Sequence, residues 1–178
     1  ADNREQCERC GSSLILDGRY KALKSLNESD RRLTDVYEVL DLNDANHKIL
    51  KVLIRASPKL FQLFQREAHA LEILHHSKIP SVDLDCYFTY TPVNSTTELS
   101  CLVIEKIEGQ PLSEWIASGN KLSTRQALNW LEQLVEIIHY LNSNNYIHRD
   151  IKPDNIILKP NGELALIDFG AIRNISSS

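Results

Sequence analysis

The feature that most constrains this chain is a run of charge set between apolar neighbours. Residues 148–155 read HRDIKPDN. Before them lies a stretch, 123–142, with apolar residues at 128, 131, 135, 138 and 141, the spacing of an amphipathic helix. Ser123 or Thr124 is its candidate cap. After them come IIL (156–158), the turn PNG (160–162) and ELALI (163–167), which predict a hairpin. His148, Arg149, Asp150, Lys152, Asp154 and Asn155 are more polar groups than a turn between buried elements needs. If the hairpin forms, Asn155 and Asp168 stand at its open end as oxygen donors. Mg2+ takes few protein oxygens and completes its shell with phosphate oxygens and water, so the pair is a candidate Mg2+ site. A polar turn with an Asx cap is the competing reading.

The rest of the chain reads as α+β. Strand-like text covers 18–26, 35–42, 47–56, 85–91 and 99–107, five strands in all. One helix is inserted after the third strand: Leu60, Phe64, Leu71 and Leu74 form its stripe, with Pro58 near its start. A short helix follows at 111–117. Two charges stand where apolar residues belong. Glu67 sits on the stripe of the first helix, and Lys51 sits among Ile49, Leu50, Val52 and Leu53. A buried carboxylate and a buried ammonium each need a partner, and pairing with one another is the economical solution. Snorkelling to solvent is the alternative for each. The organisation expected is a cysteine-bearing linker at 1–17, a small α+β lobe at 18–107 and a second, partial lobe at 108–178.

Composition excludes several classes. The chain has 178 residues, 42% hydrophobic and 25% charged, which is ordinary for a globular protein. Its formal net charge of −4 argues against nucleic-acid or membrane-surface binding driven by charge. No apolar run approaches the roughly 20 residues of a spanning helix, and no signal peptide is legible, so the cytoplasm is expected. Cys7 and Cys10 form one C-x-x-C, half of a zinc-ribbon signature. Either this is a knuckle without metal, or it holds Zn2+ with a second cysteine pair upstream. The chain begins at Ala1 and has no methionine, so upstream residues are expected. Cys86 and Cys101 read as small core residues.

With these residues in view, the chain resembles the protein-kinase family, and most closely bacterial, cyanobacterial-type serine/threonine kinases. HRDIKPDN resembles the catalytic loop and DFG (168–170) the metal-binding motif. The Lys of ILKVL and the Glu of FQREAHAL match the strand lysine and the helix glutamate, and CLVIEKIEG resembles the hinge strand. The resemblance implies a kinase fold and transfer of the ATP γ-phosphate to serine or threonine hydroxyls of proteins. It implies that Asp150 orients the nucleophile and that Lys152 stands against the transferring group. Lys51, positioned by Glu67, would bind the α- and β-phosphates, and Asn155 and Asp168 would hold Mg2+. Adenine would meet the backbone of Glu105 and Ile107, with Ile104 as gatekeeper and Val36, Ile49 and Ile157 around the ring. His148 and Phe169 would be scaffold.

Three departures accompany the resemblance. The family's phosphate loop, G-x-G-x-x-G-x-V, has Ser29, Arg31 and Thr34 in place of its glycines when its valine is set on Val36. Arg31 or Arg32 would then have to supply charge by side chain. Ile49 stands where the family has alanine. The text stops soon after DFG, so a kinase truncated before its substrate-binding helices is expected. Arg149 would ordinarily meet a phosphate on the segment beyond. The alternatives are a pseudokinase-like module that binds nucleotide or a partner with little phosphotransfer, and a small-molecule kinase of similar fold.

Overall fold

Alternation of apolar residues builds the first part of the molecule as a sheet. The computed structural model describes residues 6–8, 11–26, 34–54, 57–93 and 95–176. These fall into two compact units, one of residues 1–62 with 82–106, the other of 63–81 with 107–178.

The first unit is a six-stranded antiparallel sheet: β1 (Ile15–Leu16), β2 (Tyr20–Ser25), β3 (Thr34–Asp41), β4 (His47–Leu53), β5 (Tyr87–Tyr90) and β6 (Leu99–Glu105). Their order is β1-β2-β3-β4-β6-β5. Five of these are the strands expected; β1 is an addition of two residues. Its turn holds Asp17 at φ 50° and Gly18 at φ 62°, the left-handed pair that an Asp-Gly hairpin favours. One face of the sheet is the core, formed by Leu16, Tyr20, Val39, Leu50, Val52, Cys101 and Val103. Side chains alternate along a strand, so Val36, Glu38, Ile49, Lys51, Leu102 and Ile104 share the other face.

Helix α1 (Pro58–Ile73) has proline in its first turn, where a missing N–H costs nothing. The Leu60 N–H donates to Ser57 Oγ at 3.3 Å. Its buried residues are Phe64, Glu67, Ala68, Ala70 and Leu71, so the stripe containing Glu67 does face inward.

In the second unit, α2 (Leu112–Ala117) precedes α3 (Thr124–Ser143). Ser123 caps α3 in a reciprocal box: Gln126 N–H donates to Ser123 Oγ at 3.3 Å, and Ser123 N–H donates to Gln126 Oε1 at 3.2 Å. Ser123→Ala removes one half of that box and is expected to cost about 1 kcal/mol in urea denaturation. Helix α3 buries Trp130, Ile137 and Leu141, while Leu128, Leu131, Val135 and Ile138 stay exposed. The expected hairpin forms from β9 (Ile156–Leu158) and β10 (Leu164–Leu166). β7 (Gln110–Pro111) adds a third strand to it by pairing with β9, and β8 (Tyr146–Ile147) pairs with β11 (Arg173–Asn174) in a separate two-stranded sheet. The β7 approach needs Gly109, whose φ is 145° and where a Cβ would lie 2.4 Å from the Leu158 carbonyl oxygen. No helix among the described residues is long and apolar enough to cross a membrane.

Candidate active site

The loop after α3 is fixed from its first residue. His148 is 2% exposed. Its Nε2 lies 3.1 Å from the Ile167 carbonyl, and the Asp150 N–H donates to its Nδ1 at 3.3 Å. A carbonyl needs a donor and an N–H needs an acceptor, so the ring is the neutral Nε2–H tautomer. Its edge meets the Phe169 ring at 4.9 Å. His148 and Phe169 thus tie the loop to the end of the hairpin, as scaffold. Arg149, at φ 71°, and Asp168, at φ 63°, occupy the left-handed region. Such backbone strain costs on the order of 1–3 kcal/mol and persists where surroundings over-determine it.

Asp150 is the acceptor at the centre of the loop. Lys152 Nζ donates to its Oδ2 at 2.8 Å, and Asn155 Nδ2 donates to its Oδ2 and to its backbone oxygen, each at 2.9 Å. Lys152, and then Asn155, hold the carboxyl below the usual carboxylate range, so Asp150 is ionised at neutral pH and accepts only. Lys152 is pushed up in return, chiefly by Asp150. Asn155 is 6% exposed, in the turn Pro153–Asn155. Both of its amide protons are spent on Asp150, which leaves its side-chain oxygen as an acceptor. Its backbone oxygen accepts from the Ile167 N–H at 2.9 Å and so sets the start of DFG. The hairpin therefore brings the Asn155 backbone against Ile167, the residue before Asp168.

A second carboxylate converges there. A Cβ built on Gly170 would lie 3.5 Å from Asp168 Oδ1 and 3.5 Å from Glu67 Oε2. Glu67 is 3% exposed. Glu67 Oε2 and Asp168 Oδ1 thus both stand beside Gly170. The donor set of Asn155 and Asp168 oxygens suits Mg2+, which uses one or two protein carboxylates and completes its shell on phosphates and water.

In the first unit, Lys51 is 8% exposed and lies opposite Val36 and Leu102, while Ile49 lies opposite Glu38 and Ile104. These rows place Val36, Ile49, Lys51 and Ile104 on one face. Glu105 ends β6 opposite Lys48 and is exposed. In the second unit, Ile107 is half-buried, and Ile157 is buried between Pro111 and Ala165. Ser29, Arg31, Arg32 and Cys10 lie outside the described residues. Cys7 is a free thiol in a turn closed by Gly11 N–H donating to its carbonyl at 2.8 Å. Among the described residues no three His, Cys, Asp or Glu side chains converge as a metal-ligand group. A cavity of about 770 Å³ in the second unit, walled by Trp115, Trp130 and the 158–162 turn, holds none of the candidate residues.

Sequence reasoning missed two charged clusters in the first unit. Asp41 joins Arg19, Lys48 and Asp83, and Glu38 joins Lys24, His47 and Lys106. The signal available was an acid at every third position of VYEVLD, inside strand text.

Residues 32–178 match the family described as Protein kinase domain. The chain belongs to the protein kinase family. The relatives of this kinase chain include serine/threonine-protein kinase PknA of Nostoc sp., 34% identical over 168 residues, covering 89% of this chain and 28% of the relative. Serine/threonine-protein kinase B of Synechocystis sp. is 31% identical over 181 residues, with 97% and 30% covered. Serine/threonine-protein kinase PknA of Mycobacterium tuberculosis is 28% identical over 168 residues, with 93% and 38% covered. The kinase chain thus spans between 28% and 38% of the length of these three relatives.

Proposed function

We propose that the protein containing this chain transfers the γ-phosphate of ATP to serine or threonine hydroxyls of proteins, with Mg2+. The observation that carries this reading is Asp150: an ionised acceptor held by Lys152 and Asn155, with the Asn155 backbone in turn bonded to Ile167, next to Asp168. Phosphoryl transfer needs positioning and neutralisation of charge more than covalent chemistry, and this set supplies both. Asp150 accepts the hydrogen of the attacking hydroxyl and aims its oxygen. Lys152 stabilises charge on the transferring group. Asn155 and Asp168 would hold Mg2+, which supplies charge neutralisation between the phosphates. Lys51 binds the α- and β-phosphates, and Glu67 has the role of the family's helix glutamate. Val36, Ile49, Ile104 and Ile157 have the roles of the family's adenine-ring contacts, and the backbones of Glu105 and Ile107 those of its hydrogen-bonding edge. The partners are ATP and a protein carrying the hydroxyl; nucleic acid is not among them. Zn2+ on Cys7 and Cys10 enters only with a further cysteine pair. No feature of Asp150, Asn155 and Asp168 favours a module without phosphotransfer.

The test is transfer of labelled γ-phosphate by the full-length protein to itself or to a generic protein acceptor, with and without Mg2+. Asp168→Asn is expected to lower transfer at least about a hundredfold, the equivalent of several kcal/mol of charge stabilisation. Transfer that ignores Mg2+, or an Asp168→Asn protein as active as the parent, would overturn the reading.

A further inference from the structure

Glu38 is a carboxylate in an unusual place. Its side chain is 7% exposed, in the middle of β3, on the face that also carries Val36, Ile49 and Lys51. Three basic groups close on it. His47 Nδ1 of β4 lies 2.6 Å from its Oε1, Lys24 Nζ of β2 lies 3.0 Å from its Oε2, and Lys106 Nζ, just past β6, lies 3.3 Å from its Oε1.

The Lys24 contact depends on a defect in the sheet. Ala22 pairs with Val39, but Lys24, not Leu23, pairs with Glu38. Leu23 is therefore the extra residue of a β-bulge. An unbulged register would put Leu23 opposite Glu38 and turn Lys24 to the opposite, core-side face. The bulge thus delivers a cation to this carboxylate, one residue before the end of β2 at Ser25.

Glu38 also has a fixed place among the candidate nucleotide residues. The row Glu38–Ile49–Ile104 runs across three strands, and the row Val36–Lys51–Leu102 lies about 7 Å from it, one pleat along the same face. Lys106 stands between Glu105 and Ile107, the two residues assigned to the adenine edge. Burying a carboxylate and gathering three basic groups on it is not the cheapest way to build a sheet face, because apolar packing there is often as stable. What the arrangement adds is position: one carboxylate ties β2, β4 and the segment after β6 to β3.

We propose that Glu38 is a positioning residue for the nucleotide, holding Lys24, His47 and Lys106 so that the strand carrying Ile49 and the segment of Glu105 and Lys106 keep a fixed relation. This rests on the ATP reading above. Glu38 touches no reacting atom and acts through the residues it gathers.

The experiment is steady-state phosphate transfer by the full-length protein against ATP concentration, with Mg2+–ATP binding measured separately by thermal shift. Glu38→Gln keeps the shape and removes the charge. It is expected to raise the KM for ATP about tenfold, as loss of 1.4 kcal/mol of nucleotide binding would, and to change kcat less than about threefold. Lys106→Met, at a side chain 26% exposed, and Lys24→Met, at one 64% exposed, remove charge without opening the core. Each is expected to raise KM in the same direction by less, and Glu38→Gln combined with Lys106→Met to be less than additive. These two variants carry the test if Glu38→Gln does not fold. A purely structural Glu38 would lower the melting temperature and leave KM for ATP at the parent value in every variant that folds, which overturns the proposal. A parent protein that neither binds ATP nor transfers phosphate overturns the function itself, a separate outcome.

Discussion

Asp150→Asn is expected to lower kcat for phosphate transfer by the full-length protein about 10³-fold, with the KM for ATP changed little. A general base in phosphate and acyl chemistry contributes roughly 10² to 10⁴ in rate. Asp150 has the features of one: its Oδ2 accepts from Lys152 and from Asn155, and it is 38% exposed at the side chain, open to an incoming hydroxyl. Asparagine matches the size, but its NH2 cannot accept, and its oxygen carries no charge to hold Lys152. The loop itself should survive, because His148 and the Asn155 backbone bond to Ile167 fix it independently of the carboxylate charge. Lys152→Met separates two roles. It removes the group that most lowers the Asp150 carboxyl, so the acid limb of the pH–rate profile should move toward the usual carboxylate range. An Asp150→Asn enzyme within threefold of the parent kcat would sink the assignment.

How much of this was legible in the sequence differs by residue. Glu67 and Lys51 announced themselves because each is a charge inside an apolar period, and both are indeed nearly buried, at 3% and 8% exposure. The approach of the Asn155 backbone to Ile167, just before DFG, followed from one hairpin with a clear turn. Strands β7, β8 and β11 were not legible because two residues carry no period. Strand β1 is marked in the sequence only by the turn pair Asp17-Gly18. The exposed and buried faces of α3 could not be separated from text alone, since Leu128, Leu131, Val135 and Ile138 are as apolar as Trp130, Ile137 and Leu141. The Glu38 cluster was hidden for a further reason. Lys24 reaches Glu38 only through a bulge, and a one-residue shift of register moves a side chain to the other face. The functional motif was readable because its residue types are rare in such a setting; the supporting charges were not, because only register brings them together.

Asp41→Ala is expected to destabilise the first unit by about 3–5 kcal/mol, the range for removing one partner of a buried ion pair. Asp41 is fully buried and accepts from Arg19 Nε at 2.9 Å and Nη2 at 2.6 Å, from Lys48 Nζ at 3.0 Å and from the Asn43 N–H at 3.0 Å. Asp83 completes the network on Arg19 and Lys48 but is 46% exposed, so Asp83→Ala is expected to cost under about 1 kcal/mol. Asp41→Asn should lie close to Asp41→Ala, because charge on two cations matters here more than shape. The pH dependence has a definite sign. Arg19, foremost, holds the Asp41 carboxyl far below its ordinary value in the folded chain. A carboxyl lowered on folding stabilises fully above its unfolded value, near 3.9, and progressively less as pH falls toward the folded value. Glu38 acts in the same sense. Burial pushes it up, but His47, Lys24 and Lys106 outweigh this and bring it from 4.5 to about 2. The parent protein should therefore lose stability from about pH 4.5 downward, and Asp41→Asn should show a shallower loss from a lower starting point. Melting temperatures of the full-length proteins at pH 7 and at stepped pH below 5 measure both effects. An Asp41→Asn protein as stable as the parent at pH 7 would mean that Asp83 alone satisfies Arg19 and Lys48, and that the buried carboxylate is not what joins the β1–β2 turn, β3 and β4.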